Sequence, residues 1–293
     1  MVNPARLIAS LTTAALGSAA LVSATLPVAN AGDMGDCPAT VIVAARGNDA
    51  SETVNPVRYS EESDAVSNGW EGLNIRAFLQ YAEQRHLDQH GESLLRDIPV
   101  LGLSGEYHPA DIPIPEITDG AGLIDVLPRA GEVITSTVDG FRRTIDVGIP
   151  GARLAIEDYE AATGCAPRYI LIGYSLGASM LSLQEDWLAQ KGQLGGTFYF
   201  GAGHQSPGDP AAVGATVNGG ILGRLPSNSL DTARTPNRMI YCIPHDFACD
   251  FTPTAVQVGL DEGTQGPHAR YFLHPDTEPH SAEVADRFSS WLG

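Results

Sequence analysis

The chain has 293 residues, a formal net charge of -18 and 43% apolar residues. A protein this acidic is repelled by nucleic acid and by anionic lipid head groups, and no basic cluster offsets the charge, so nucleic acid is excluded as a partner. The length suits one large domain, which buries enough apolar surface to fold without needing disulfides or metal ions.

The first 31 residues predict a signal peptide. Arg6 supplies a positive charge, the stretch from Leu7 to Leu26 carries none, and Ala29-Asn30-Ala31 matches the small-x-small cleavage pattern. An uncleaved anchor is the alternative, because the apolar stretch is close to spanning length. Its many Ala, Ser and Thr residues favour cleavage. We therefore expect a secreted monomer of residues 32–293, with no stable membrane insertion after cleavage.

The four cysteines of an exported chain predict two disulfides, for which three pairings are possible. A zinc site is the alternative, but the sequence has no C-x-x-C or His-x-His spacing to support it. We expect no metal.

In chain order, short apolar runs predict strands and helical spacing predicts helices. The strands are expected at 40–45, 98–103, 169–172, 197–200 and 239–241, and the helices at 70–90, 132–145, 151–162, 178–191 and 278–292. Gly148-Ile149-Pro150 predicts a break between the second and third helices. Alternating strands and helices indicate a three-layer α/β/α sandwich with a mainly parallel sheet of about five strands.

The segment 204–237 is rich in Gly, Pro, Ala and Ser and lacks clear periodicity. A structureless segment of this length in a domain is normally functional or mobile. We interpret it as an insertion, and as a hypothesis it forms a wall of the substrate pocket or a partial lid.

A candidate nucleophile lies in Gly173-Tyr174-Ser175-Leu176-Gly177, which matches G-x-S-x-G. The match is weak alone, but here a buried strand enters it and an amphipathic helix leaves it. In such a tight turn the serine is strained, and a Cβ on either glycine would collide with neighbouring backbone. The backbone N–H of Leu176 then lies at a helix N-terminus, where it can stabilise an oxyanion.

The serine needs a histidine base and an orienting carboxylate, which follow it in the chain on this scaffold. Asp246 comes after a predicted strand, and Cys242 and Cys249 can close a loop around it. Asp250 and Asp261 are rival acids that we expect to be solvated. Chain order alone does not choose among His268, His274 and His280. We interpret His245 as a surface residue and His86, His90 and His108 as helix-face or loop residues.

Four separated features resemble the cutinase family of α/β-hydrolases. They are Cys37-Pro38 before a strand that ends in Ala45-Arg46-Gly47; Cys165 before the strand and Gly-Tyr-Ser-x-Gly-Ala box at 173–178; Cys242 and Cys249 flanking Asp246 by four and three residues; and His268-Ala269-Arg270-Tyr271, similar to the family's His-x-x-Tyr. Together they span nearly all of the expected mature chain.

The resemblance implies Ser175 as nucleophile, His268 as base and then acid, and Asp246 as the orienting carboxylate. It also implies the disulfides Cys37–Cys165 and Cys242–Cys249, and a second oxyanion donor in the backbone N–H of Asn48. The His-x-x-Tyr match favours His268 over its rivals. Substrates of the family include cutin, acylglycerols, short acyl esters, acetylated xylan and mycolate esters.

The chain departs from the family at several positions. Leu176 replaces the usual Gln, which catalysis should tolerate because the donor is a backbone amide. Asn48 replaces a Ser or Thr, and its side-chain amide can donate in place of the hydroxyl. The Asp246–His268 spacing and the insertion 204–237 are longer than in compact family members, and we expect these differences to affect the substrate pocket more than the triad.

The sequence thus predicts a serine esterase that acts on a lipid, polyester or acyl-sugar ester without a cofactor. Activity should fall at low pH, because protonated His268 cannot act as a base. An acyltransferase with the same triad and an inactive surface-binding protein are the alternatives.

Overall fold

The computed structural model describes residues 37–48, 54–112, 130–223 and 235–292, so the predicted signal peptide lies outside the described residues. Six strands form one sheet in the order β2-β1-β3-β4-β6-β5, and every neighbouring pair is parallel. They are β1 Thr40–Ala45, β2 Val100–Gly102, β3 Arg168–Tyr174, β4 Leu194–Phe200, β5 Ala212–Gly214 and β6 Arg238–Cys242.

Helices cover both faces of this sheet. They are α1 Leu73–His90, α2 Ala130–Thr163, α3 Leu176–Ser182, α4 Glu185–Gln190, α5 Pro253–Glu262 and α6 Ser281–Ser289, with 3₁₀ turns at Gly263–Gln265 and Pro267–Ala269. Alternate residues of β1 point to opposite faces, as the period of a strand requires. Ile42 packs in one core with Phe78 of α1 and Phe288 of α6, and Val43 packs in the other with Ile156 of α2. The predicted three-layer sandwich is confirmed.

The expected absence of regular structure in 204–237 is wrong for part of that segment. Ala212–Gly214 forms an edge strand, β5, beside β6, which gives six strands rather than about five. The segment is anchored by Asp209, whose carboxylate accepts two hydrogen bonds of 2.7 Å from the guanidinium of Arg238. Both side chains are almost fully buried, so this part of the insertion belongs to the sandwich. Residues 224–234 lie outside the described part.

The predicted break at Gly148-Ile149-Pro150 is wrong, because α2 runs through it with Pro150 inside. The glycines permit close packing instead. A Cβ on Gly151 would lie 2.1 Å from the carbonyl oxygen of Tyr107, and one on Gly148 would lie 3.0 Å from Sδ of Met180. Tertiary contacts therefore outweigh the local preference of this sequence to end a helix.

Two other helices differ from prediction. The expected helix 178–191 is divided into α3 and α4, and Gln184 at the junction is buried with its amide donating to the Ile149 carbonyl at 2.9 Å. The expected helix 278–292 begins only at Ser281, because the Glu278 carboxylate accepts the backbone N–H of Phe272 at 2.8 Å and is thereby held in the preceding turn.

Helix α5 was missed, although its start has a recognisable signal. Thr252 caps it by accepting the N–H of Ala255 at 3.0 Å, and Pro253 is its first residue. A threonine followed by proline is a frequent helix start. In the described ranges, no helix combines the length and the apolar character needed to cross a bilayer.

Acid is expected to destabilise the fold through two buried histidines. Burial lowers the pKa of His108 and of His204 to about 4, whereas the unfolded chain titrates near the ordinary value of about 6.5. The unfolded chain therefore binds more protons between these values, and the free energy of unfolding falls as the pH drops through this window. Each histidine should contribute up to about 3 kcal/mol to this fall in the free energy of unfolding.

Urea unfolding at pH 7 and pH 4.5 measures this loss. The His204→Gln variant should show a smaller difference between the two pH values than the wild type. An unfolding free energy that is equal at both pH values in the wild type would contradict the prediction.

Candidate active site

Ser175 occupies the sharp turn between β3 and α3 with φ 52° and ψ -114°, a strained conformation for a residue with a side chain. A Cβ on Gly173 would lie 2.5 Å from Cα of Ala178, and one on Gly177 would lie 2.0 Å from the carbonyl oxygen of Ala45. Both glycines are therefore needed for the turn, as the sequence predicts.

Three side chains from separate segments meet at this turn. Oγ of Ser175 lies 2.9 Å from Nε2 of His268, which is in the 3₁₀ turn Pro267–Ala269. Nδ1 of His268 lies 2.8 Å from Oδ1 of Asp246, which follows β6. If Nδ1 carries the imidazole proton, Nε2 is free to accept the proton of the serine hydroxyl. The geometry therefore suits a serine nucleophile with a histidine base.

The carboxylate of Asp246 is fully buried and is stabilised by several donors. Besides Nδ1 of His268, its Oδ1 accepts the N–H of Ala248 at 2.8 Å, and its Oδ2 accepts the hydroxyl of Tyr271 at 2.5 Å. Burial, reinforced by the charge of Asp246, raises the pKa of the Tyr271 hydroxyl well above its ordinary value, so this hydroxyl keeps its proton and donates. The carboxylate is held in one orientation.

Both disulfides pair as the family resemblance implies: Cys37 with Cys165 and Cys242 with Cys249. The second closes the loop that carries Asp246. Asp246 and the sulfurs of Cys242 and Cys249 form a group of metal-ligand residue types. Because the two sulfurs are bonded to each other, they cannot act as thiolate ligands.

The backbone that carries His268 is held by two side chains. The hydroxyl of Tyr174 donates to the His268 carbonyl at 2.5 Å. The side-chain amide of Asn74, on α1, donates at 3.0 Å to the carbonyls of Ala269 and Tyr271. Sequence reasoning missed Asn74, and no motif marks it, because its partners are almost 200 positions away in the chain.

The two candidate oxyanion donors belong to residues close to the serine, Leu176 in the chain and Asn48 in the fold. Leu176 is the first residue of α3, so its N–H has no acceptor within the helix. Asn48 follows Gly47, where a Cβ would lie 3.2 Å from Cβ of Ser175. The side chain of Asn48 pairs with the backbone of Ile112, which leaves one of its two amide hydrogens for the donor role expected from the sequence. Its Nδ2 donates to the Ile112 carbonyl at 3.0 Å, and its Oδ1 accepts the Ile112 N–H at 2.6 Å.

The rival histidines are placed elsewhere. His274 is exposed, with its N–H donating to Glu278 at 3.2 Å, and Nδ1 of exposed His280 lies 2.9 Å from Glu283. His245 is exposed, as predicted.

Of the rival acids, Asp261 is exposed as expected, but the prediction that Asp250 is solvated is wrong. Asp250 is buried because its carboxylate accepts the His245 N–H at 3.0 Å and the Asn218 amide at 2.8 Å. It therefore stabilises the loop around Asp246. His108 lies in a loop, as predicted, but its ring is fully buried there.

Removing the Tyr271 hydroxyl is expected to weaken the support of Asp246. We expect Tyr271→Phe to unfold at about 1–3 kcal/mol lower free energy, because a buried acceptor loses its donor, and to lower kcat roughly 10-fold through a less well oriented histidine. Steady-state kinetics and urea unfolding check both effects.

Tyr199→Phe is the matched control, since that buried hydroxyl donates to Glu185, a carboxylate outside the site, at 2.9 Å. It should lose stability with little change in kcat. If both variants lowered kcat alike, the Tyr271 hydroxyl would have no special role.

Neither a family model nor a characterised protein sequence matches the chain. Among solved structures, an acetyl xylan esterase in an iodinated complex is similar at 14% identity and a TM-score of 0.52, over 88% of this chain and 100% of that chain. The catalytic core domain of acetyl xylan esterase from Trichoderma reesei follows at 15% and 0.48, over 88% and 100%. A cutinase-like protein from Cryptococcus sp. gives 16% and 0.41, over 81% and 94%. The first likeness shows a shared fold, the three-layer α/β/α sandwich predicted from the sequence.

Proposed function

We propose that the chain is a secreted serine esterase that hydrolyses carboxylic esters through an acyl-enzyme at Ser175. The observation that carries the proposal is the chain of two hydrogen bonds from Oγ of Ser175 through His268 to Asp246, at 2.9 and 2.8 Å. Nucleophile, base and orienting group at these distances define the chemistry of acyl transfer. Because the likeness to an acetyl xylan esterase concerns the fold alone, the activity is inferred from the site.

In the first half-reaction, Nε2 of His268 removes the proton of Ser175 while Oγ attacks the ester carbonyl. Asp246, which accepts the Nδ1–H of the ring, stabilises the imidazolium that forms. The backbone N–H groups of Leu176 and Asn48 donate to the oxyanion of the tetrahedral intermediate. His268 then protonates the leaving alcohol, which departs and leaves the acyl group on Ser175.

In the second half-reaction, His268 takes a proton from a water molecule that attacks the acyl carbonyl. A second tetrahedral intermediate collapses, Ser175 recovers its proton and the carboxylic acid leaves. These residues perform the whole reaction, so the mechanism requires no metal or organic cofactor.

The surroundings of His268 favour substrates with an apolar acyl group. The ring of Phe247 lies 5.0 Å from the imidazole and is 39% exposed. Ile221, which belongs to the segment 204–237, is 51% exposed, and its N–H donates to the carbonyl of Ala248, the residue after Phe247, at 2.9 Å. In this proposal, the insertion contributes Ile221 to an apolar wall of the site, together with Phe247. Each additional methylene group of the acyl chain that contacts an apolar wall stabilises the bound transition state by about 1–3 kcal/mol. Acyl chains longer than acetyl should therefore be preferred.

A screen of p-nitrophenyl esters of rising chain length, together with acetylated xylan, tests the function. We expect hydrolysis that is highest for acyl chains longer than acetyl, and complete inactivation by a fluorophosphonate. A protein that hydrolyses none of these esters and takes up no fluorophosphonate would contradict the proposal. Activity confined to acetyl esters would agree with the proposed esterase activity but would contradict the proposed apolar wall.

A further inference from the structure

We propose that His108 is a positioning residue of the oxyanion hole, which holds the turn 46–48 through the carbonyl of Arg46. This inference rests on the proposed function, because it concerns the Asn48 N–H as an oxyanion donor. It assigns a catalytic consequence to a buried histidine outside the triad.

The contact is a hydrogen bond between Nε2 of His108 and the carbonyl oxygen of Arg46, 2.9 Å apart. A carbonyl can only accept, so Nε2 carries the proton. The ring is fully buried, and Nδ1 has no hydrogen-bond partner among the described residues. Burial, as the dominant cause, lowers the pKa of this ring to about 4, so the ring is neutral at neutral pH and has a single N–H to donate. That N–H is directed at the turn.

The contact is reciprocal. The guanidinium of Arg46 donates to the carbonyl of Leu103 at 2.8 Å and to that of Pro109 at 3.4 Å. These carbonyls lie on either side of His108 in the chain. The side chain of Arg46 therefore holds the segment 103–109, while His108 of that segment holds the backbone of Arg46.

Ile112, three residues beyond this segment, holds the other side of the turn, since Asn48 and Ile112 exchange two hydrogen bonds of 3.0 and 2.6 Å. Gly47 between these two anchors has no side chain that could limit its rotation. Without the anchors, the peptide unit that ends in the Asn48 N–H could turn away from the substrate oxygen.

The turn also contacts the other half of the oxyanion hole. A Cβ on Gly47 would lie 2.7 Å from the ring of Tyr174, and one on Gly177 would lie 2.5 Å from the Arg46 carbonyl oxygen. The carbonyl that His108 holds is therefore packed against the first turn of α3, where Leu176 provides its N–H. A shift of this carbonyl would change the spacing between the two amide donors.

The test compares two amide replacements of the histidine. The amide nitrogen of glutamine reaches the position of Nε2, whereas that of asparagine ends near Nδ1 and cannot reach Arg46. We expect His108→Asn to lower kcat for a p-nitrophenyl ester roughly 100-fold, the effect of losing one oxyanion donor, with KM within about 3-fold. His108→Gln should stay within about 5-fold of the wild type.

A second readout separates positioning from mere structure. The rate of inactivation by a phosphonate that forms a tetrahedral adduct should fall in parallel with kcat in His108→Asn, because the oxyanion donor acts on the transition state. Asn48→Ala, which releases the other anchor, should lower kcat in the same way. It keeps the test decisive if His108→Asn does not fold.

His204→Asn is the matched control. This histidine is also buried, its pKa is likewise lowered to about 4, and its ring packs 5.4 Å from that of Tyr199. It should lower Tm without lowering kcat. Equal kcat losses in His108→Asn and His108→Gln, or unchanged kcat in folded His108→Asn and Asn48→Ala, would overturn the inference. Neither result touches the esterase proposal, which is tested separately by the ester screen, by fluorophosphonate uptake and by loss of the Ser175 hydroxyl.

Discussion

Ser175→Ala is expected to lower kcat for ester hydrolysis by roughly 10⁴–10⁶-fold. The variant keeps the turn between β3 and α3 but has no oxygen to form the acyl-enzyme. What remains is the contribution of the oxyanion donors and of substrate binding. Initial rates with a p-nitrophenyl ester measure the loss, and KM should change little because the hydroxyl acts in the transition state.

Ser179→Ala is the control for Ser175→Ala. Ser179 lies one turn further along α3, and its backbone N–H contacts the Ser175 carbonyl at 3.4 Å. The substitution removes a hydroxyl from the same helix without touching the imidazole, so kcat should remain near the wild-type value. A Ser175→Ala variant with wild-type turnover, confirmed by mass to be free of parent enzyme, would end the proposal.

His268→Ala is expected to lower kcat to a similar extent, roughly 10⁴–10⁶-fold, because the serine then lacks its base. The two residues act as one unit, so the double variant Ser175→Ala with His268→Ala should be hardly slower than either single variant. Non-additive losses of this kind report a shared step. Additive losses would mean that serine and histidine act independently.

His274→Ala is the control for His268→Ala, because His274 is an exposed histidine that also follows Asp246 in the chain. It should leave kcat unchanged. A large loss in His274→Ala, combined with a small loss in His268→Ala, would show that the wrong histidine has been assigned.

The nucleophile turn could be predicted from sequence because its determinants are local. The turn lies between an apolar run and a helical pattern and contains Gly173, Ser175 and Gly177. A Cβ on either glycine would clash with backbone that is a few residues away in the chain or on the adjacent strand. The strands were predictable for the same reason, since buried parallel strands are continuous apolar runs. The choice of Asp246 and His268 needed more, namely cysteine spacing and the resemblance to a family.

Features that depend on distant contacts could not be predicted. His108 is a loop residue, as predicted, but nothing near it in sequence reveals that its ring is buried with Nε2 against the Arg46 carbonyl. Asp250 was expected to be solvated, because charged residues usually are, but two donors in the folded chain stabilise it there. The helix α2 passes through Gly148 and Pro150 because packing against Met180 and Tyr107 outweighs local propensity.

The central claim is that an acyl group is carried by Ser175, and its most direct test is to trap that intermediate. The enzyme is mixed with an excess of p-nitrophenyl ester, quenched in acid within milliseconds and digested for peptide mass mapping. We expect a burst of about one equivalent of p-nitrophenol and the mass of the acyl group on the peptide that contains Ser175. Steady hydrolysis by the wild type without a burst, with the acyl mass absent from that peptide at every quench time and no acyl adduct accumulating even when water attack is slowed at low pH, would contradict the account.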